Sequence, residues 1–165
     1  MDHIVQALAG IVGKPYVSAS AEERYFYGRD PGLMPAHAPD YVVLPRSVEE
    51  IQAIVRLAGR EKIPLVPMGA GMSLSGLVIP QRGGIVLDMK RMDGILKVNE
   101  AARYAVVEGG TSTGKLHAHL NRYYPRLRFS TPDSPAAATV AAIVMMHGQG
   151  RLTQQQGFNS DMVSG

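Results

Sequence analysis

Cysteine is absent from the 165 residues, so this chain makes no disulfide and offers no thiolate to an iron–sulfur cluster. Redox chemistry here would require an organic cofactor. Long hydrophobic runs are missing as well: the longest, Ala136 to Met146, contains a threonine and falls short of the roughly 20 residues that span a bilayer. The start carries Asp2 and no basic cluster, so no secretory signal is expected and a cytoplasmic location is the default. Charge of one sign is scarce. Lys and Arg number 17 against 14 Asp and Glu, and the resulting +3 is too small for a nucleic-acid footprint; no nucleic-acid partner is expected.

What is present suffices for a folded domain, since 45% of the residues are hydrophobic. Ile4 to Gly13 has the spacing of a short amphipathic helix stopped by glycine. Arg24 to Asp40, rich in proline, glycine and aromatics without a period, is expected to be an ordered loop leading into a strand at Tyr41–Leu44. Ser47 with Glu50 three residues on predicts a helix start, and Val48, Ile51, Val55 and Ala58 carry it to Arg60 or Glu61. A strand at Ile63–Val66 follows, so the order is strand, helix, strand with parallel pairing. Further strands are expected at Ile85–Asp88, Ile95–Val98 and Tyr104–Val107, the last two as a hairpin. Thr111 or Ser112 caps a helix through His119 or Leu120, and Ala136–Met146 predicts another helix, largely buried for want of a polar face. The final residues, Arg151 to Gly165, show no period.

The most informative stretch is Ile63 to Gly76, an apolar strand running into Gly69-Ala70-Gly71-Met72-Ser73-Leu74-Ser75-Gly76. Glycines two apart allow close backbone approach and aim successive amides at an anion, while Ser73 and Ser75 add hydroxyls. It reads as a phosphate cradle, against the plainer alternative of a sharp strand-exit turn. The spacing is not that of a nicotinamide-binding loop. Gly109 to Lys115 imitates a nucleotide loop, but Leu116 stands where a magnesium-binding hydroxyl belongs, which excludes a P-loop enzyme. Thr131-Pro132-Asp133-Ser134-Pro135 followed by Thr139-Val140-Ala141-Ala142 either admits a flat ring or diphosphate, or is the close packing of an Ala-rich helix on a sheet. His117 and His119, at i and i+2, point to different sides of a helix, and no metal site is expected. His147 is more simply structural. Arg122, Arg126 and Arg128 among aromatics are as typical of a solvated connection as of a base-stacking surface.

Tyr41 to Ile51, Ile63 to Gly76, Gly83 to Met92 and Ala105 to Gly110, taken in order, resemble the FAD-binding domain of the vanillyl-alcohol-oxidase/PCMH superfamily. Within it the chain is most similar to FAD-linked D-2-hydroxyacid dehydrogenases, including glycolate oxidase FAD subunits. The resemblance implies an α+β fold of two small α/β subdomains with FAD between them. It further implies a helical lead-in at residues 1–23 and a PCMH-type domain at 24–165 that is expected to be incomplete at its C-terminus. It implies that Pro67, Met68, Gly69, Ala70, Gly71, Met72, Ser73, Leu74 and Gly76 surround the pyrophosphate. Pro132, Asp133 and Ser134 would border the flavin, with Thr139, Val140, Ala141 and Ala142 continuing the pocket. Where the family commonly reads Thr-Ile-Gly-Gly-Asn, this chain reads Thr139-Val140-Ala141-Ala142-Ile143, which removes backbone freedom. Met68 and Met72 stand for the family's usual arginine and threonine, and the loop has no histidine or cysteine, so FAD is expected to be held non-covalently.

The implied activity is oxidation of a 2-hydroxy acid: hydride passes from the α-carbon to flavin N5 while a base takes the hydroxyl proton, and electrons leave for an acceptor. No residue of this chain is assigned as catalytic. The implied partners are a missing substrate domain or separate catalytic subunit, the small hydroxy acid and an iron–sulfur electron-transfer subunit. Any membrane contact would be peripheral and made through such a partner. The alternative reading is a non-catalytic cofactor-binding or interaction subunit of a larger redox complex.

Overall fold

The structure is a computed structural model that describes residues 2–129 and 133–164. It divides into two compact units, Met1–Arg91 and Met92–Gly165.

The first unit opens with α1 (His3–Val12), capped by the Asp2 carboxylate on the Ile4 amide and ended by Gly13 at φ +90°. Ile4, Leu8 and Val12 recur at i, i+4 and i+8 and are all buried. A two-residue strand β1 (Val17–Ser18) and a helix α2 (Ala21–Tyr27) follow. The expected loop from Arg24 is therefore helical in its first turn. Ser20 caps α2 by accepting from the Glu23 amide, and the helix presents Tyr27, buried to 3% exposure, to the sheet. Strand β2 (Tyr41–Val43) leads to α3 (Val48–Glu61), where Ser47 accepts from the Glu50 amide. Glu50 reaches back to the Arg46 amide, one residue earlier than a capping box requires.

The strand expected at Ile63–Val66 lies two residues later, as β3 (Leu65–Met68). The Ile63 amide is taken by the Ala58 carbonyl at the end of α3, and Pro64 has no N–H, so pairing begins at Leu65. Strand β4 (Ile85–Asp88) occurs where expected, but it corrects the pairing. The sheet order is β1-β2-β4-β3, with β4 inserted parallel between β2 and β3, which do not pair with each other. Gly84 makes this insertion feasible: it sits at φ +89°, its amide donates to Asp40 Oδ2 at 2.7 Å, and a Cβ there would lie 2.3 Å from the Pro64 carbonyl oxygen. Alternation along the strands sends Val43, Ile85 and Leu87 toward α1 and α3, while Val42, Val86 and Met68 meet Tyr27 on the opposite face. Each fully buried aliphatic side chain here is worth roughly 1.5–3 kcal/mol.

The second unit begins with the hairpin β5 (Ile95–Asn99) and β6 (Tyr104–Val107), closed by Asn99 accepting from the Ala102 amide and by Arg103 at φ +56°. Ser112, rather than Thr111, caps α4 (Thr113–Tyr123), which runs three residues beyond Leu120. Thr111 is fully buried instead, its hydroxyl donating to the Gly94 carbonyl.

The helix expected over Ala136–Met146 is reduced to α5 (Val140–Met145). Ala136 and Ala138 give their carbonyls to the amides of Gly114 and Thr113, and the Ala138 amide closes a turn on the Pro135 carbonyl, so the helix starts only where Thr139 caps it. Nor is the helix largely buried: Ile143 is, but Met145 is 83% exposed. The unperiodic end holds one short helix, α6 (Thr153–Gln156), and a 3-10 turn at Asn159–Met162.

Candidate functional site

The glycine loop leaves the C-terminal end of β3 in the first unit. Pro67 is exposed on the strand, whereas Met68 turns inward against Tyr27, Val42 and Val86. Beyond it the chain opens out. Gly71 adopts φ +67° and Gly76 φ +75°, both left-handed, and the solvent-facing positions fall to Ala70, Met72, Leu74 and Ser75. The backbone N–H groups of Ala70, Gly71, Met72, Ser73 and Leu74 find no acceptor among the described residues. Main-chain donors left open in a turn of small residues are what an oxyanion requires. Ser73 accepts from the Ser75 amide at 3.2 Å, which holds the second half of the turn.

The far end of the loop is tied to the segment after α2. The Asp30 carboxylate accepts from the Gly32 amide at 2.9 Å through one oxygen and from the Gly76 amide at 2.8 Å through the other. Gly32 lies so close to the loop that a Cβ there would sit 2.3 Å from the Leu74 carbonyl oxygen. Sequence reasoning missed both residues. Asp30-Pro31-Gly32 reads only as a turn, and nothing local points 46 residues ahead.

Beneath the loop, Asp88 lies opposite Met68 at the end of β4 and is 4% exposed. Its carboxylate accepts from the Tyr27 hydroxyl, from Lys90 Nζ at 2.8 Å and from the Lys90 amide at 2.9 Å. Lys90 Nζ also donates to the Tyr27 oxygen at 2.7 Å. Burial, reinforced by the hydrogen bond to Asp88, pushes the Tyr27 phenol up to about 12. Burial opposes the charge on Lys90, but its bonds to Asp88 and Tyr27 outweigh this and raise its pKa above the ordinary lysine range. The network fixes the end of the sheet by pairing Asp88 with both Tyr27 and Lys90.

In the second unit, the other predicted segment is used differently. Pro132 lies outside the described residues. Asp133 and Ser134 are exposed, with the Asp133 amide donating to the Gln149 carbonyl. Thr139 is buried, and its hydroxyl oxygen caps α5 through the Ala142 amide. The amides of Val140 and Ala141 go to the carbonyls of Thr111 and Gly109. So Val140 to Ala142 offer side-chain and Cα surface rather than free donors.

The same pairing explains the nucleotide-loop look-alike. A Cβ on Gly109 would lie 3.3 Å from Ala141 Cβ, and one on Gly114 would lie 2.9 Å from the Ala136 carbonyl oxygen, so small residues are required there by packing. A cavity of about 1910 Å³ is lined in this unit by β6, α4 and α5. It includes Val140 and Ala141 but none of the loop from Pro67 to Gly76.

Among the histidines, His147 at φ +53° stacks on Phe158 with ring centroids 4.2 Å apart and pairs through Nδ1 with Ser160 Oγ. His117 packs edge-on to Phe129 and His119 against Tyr123. Among the described residues no three His, Asp or Glu side chains are grouped to hold a metal. Arg126 makes a bidentate pair with Glu100, and Arg122 lies over Tyr123. No helix is long and apolar enough to cross a membrane among the described residues.

Comparison with known proteins gives one family match, to the FAD binding domain, over residues 39–165. D-2-hydroxyglutarate dehydrogenase of Stutzerimonas stutzeri (strain A1501) is 34% identical over 125 residues, covering 74% of this chain and 27% of that protein. Glycolate oxidase subunit GlcD of Bacillus subtilis (strain 168) is 27% identical over 165 residues, covering 98% of this chain and 34% of the subunit. The chain thus spans about a quarter to a third of these relatives. Among solved structures, p-cresol methylhydroxylase with substrate bound superposes with a TM-score of 0.78 at 27% identity, over 88% of this chain and 29% of that one.

Proposed function

The chain belongs to the FAD binding domain family, whose members here include oxidoreductases acting on hydroxy acids, and on that premise we propose that it is the FAD-binding portion of an oxidoreductase that oxidises a 2-hydroxy acid. The observation that carries this reading is the run of uncommitted main-chain N–H groups from Ala70 to Leu74, opened by Gly71 at φ +67°. Pro67 to Ser73, with Leu74 and Gly76, would hold the diphosphate through amides and hydroxyls, without a side-chain cation. Asp133, Ser134 and Thr139 to Ala142 would flank the flavin by contact surface; the resemblance adds Pro132, which lies outside the described residues. FAD supplies the hydride-accepting ring; these residues bind and orient it. With neither histidine nor cysteine in the loop, attachment there is non-covalent. Residues 24–165 act as the binding domain and 1–23 as its helical lead-in.

The substrate pocket and the base that takes the hydroxyl proton come from protein outside these residues, as a following domain or a separate subunit. An iron–sulfur subunit is a fitting electron acceptor for such an arrangement. A second reading, a non-catalytic cofactor-binding or interaction subunit, draws on the internally satisfied amides of Val140, Ala141 and Ala142.

The test is the visible spectrum of gently purified protein, followed by titration with FAD. Flavin bands, or saturable uptake of one FAD per chain, are expected. Bleaching of those bands by a D-2-hydroxy acid, once the remaining protein is supplied, favours the enzyme over the interaction subunit. Absence of any FAD uptake overturns the enzyme reading and leaves the interaction subunit.

A further inference from the structure

We propose that Asp30 is a positioning residue for the diphosphate loop: its carboxylate, clasping the Gly32 and Gly76 amides, holds residues 70–74 in the conformation that presents their N–H groups to FAD. This rests on the FAD reading of that loop. Two independent contacts define the clasp. The carboxylate spends one oxygen on Gly32 at 2.9 Å and the other on Gly76 at 2.8 Å, so both ends of the junction are bonded to one rigid group. Gly32 then packs directly on the Leu74 carbonyl, with no room for a Cβ between them. Gly76 is similarly confined, since a Cβ there would lie 2.9 Å from Met34 Cγ. The segment after α2 thus forms a bed on which the second half of the loop rests.

The chemistry of the clasp makes an unusual prediction. A carboxylate close to an anion site is electrostatically unfavourable, so by charge alone its removal strengthens FAD binding. Positioning predicts the opposite sign. Without Asp30 the Gly76 amide turns to solvent, the loop samples more conformations, and the binding-competent one is only fractionally populated, which lowers apparent affinity by that fraction.

Asp30→Asn is the sharpest variant, because it preserves volume yet sets a donor NH2 against one of the two amides. The full chain is titrated with FAD, and with ADP as a probe that carries the diphosphate without the flavin. The wild-type measurement comes first: no FAD uptake there overturns the FAD reading, and this role falls with it. Given wild-type binding, D30N is expected to weaken FAD and ADP by the same factor, on the order of tenfold for a lost charge-assisted bond, with an unchanged far-UV spectrum. Gly32→Ala, which pushes on Leu74 rather than altering charge, is expected to weaken both likewise, and it carries the comparison if D30N does not fold. Affinities unchanged in the folded variants, tighter FAD binding by D30N, or a loss confined to FAD with ADP unaffected would each overturn the role.

Discussion

Replacing Tyr27 with phenylalanine tests the network beneath the loop with little change of shape. The ring stays in place against Val42, Met68 and Val86, and only a hydroxyl that donates to Asp88 and accepts from Lys90 is lost. Asp88 retains Lys90 Nζ at 2.8 Å and the Lys90 amide at 2.9 Å, so the large penalty of an unpaired buried charge does not arise. What is lost is the buried bond to the charged Asp88, about 1.5–3 kcal/mol, while the half-exposed Lys90 replaces its bond to the hydroxyl with one to water. Urea unfolding at neutral pH should give that decrease.

The pH dependence supplies a second reading with a definite sign. Tyr27 is raised to about 12 in the folded chain, above its unfolded value near 10. Its contribution is therefore fully present below pH ~10 and is lost as pH rises through ~12, at most roughly 3 kcal/mol. Lys90, also raised, loses stability in the same direction, and Tyr41, likewise raised to about 12, is common to both proteins. Wild-type stability should fall more steeply than that of Y27F between pH 10 and 12. Equal stability at pH 7, or parallel curves at alkaline pH, would refute the argument.

Gly84→Ala places a Cβ 2.3 Å from the Pro64 carbonyl oxygen at φ +89°, so β4 cannot enter between β2 and β3 undisturbed. A loss of about 3 kcal/mol or more is expected by thermal unfolding, and an unchanged midpoint would contradict the threading described. Ser47→Ala removes the cap on the Glu50 amide and should cost about 1 kcal/mol in urea, whereas no loss would mean that Glu50 alone secures the helix start. At Gly71 a Cβ would meet only Met68 Sδ, at 3.6 Å, so the penalty of Gly71→Ala is one of backbone conformation, about 1–2 kcal/mol. That cost should appear as weaker FAD binding, and FAD affinity equal to wild type would contradict the loop conformation.

Features set by neighbours in sequence were legible. Ser47 capping α3, the isolated apolar run of β4 and the Asn99–Arg103 hairpin turn each depend on residues within a few positions, and they occur where the pattern places them. What depended on distant partners was not. Helix α2 is anchored by Tyr27, whose partner Asp88 lies 61 residues away, so a stretch without periodicity gave no sign of it. The start of β3 is delayed because α3 consumes the Ile63 amide, and the order of the sheet follows from where Gly84 lets β4 enter.

The alanine run at 136–138 has high helix propensity, yet its carbonyls are claimed by Thr113 and Gly114, a tertiary contact that overrides the local preference. The candidate site divides in the same way. The glycine spacing at 69–71 is visible as sequence, whereas the clasp by Asp30 and the internal use of the Val140–Ala142 amides appear only in three dimensions.

The most direct measurement is the backbone amide spectrum of the isotopically labelled chain during titration with FAD. The main-chain cradle predicts that the resonances of Ala70 to Leu74 move first and furthest, in the direction of stronger hydrogen bonding, with ADP reproducing the effect. Saturable FAD binding that leaves those five amides unmoved would contradict it.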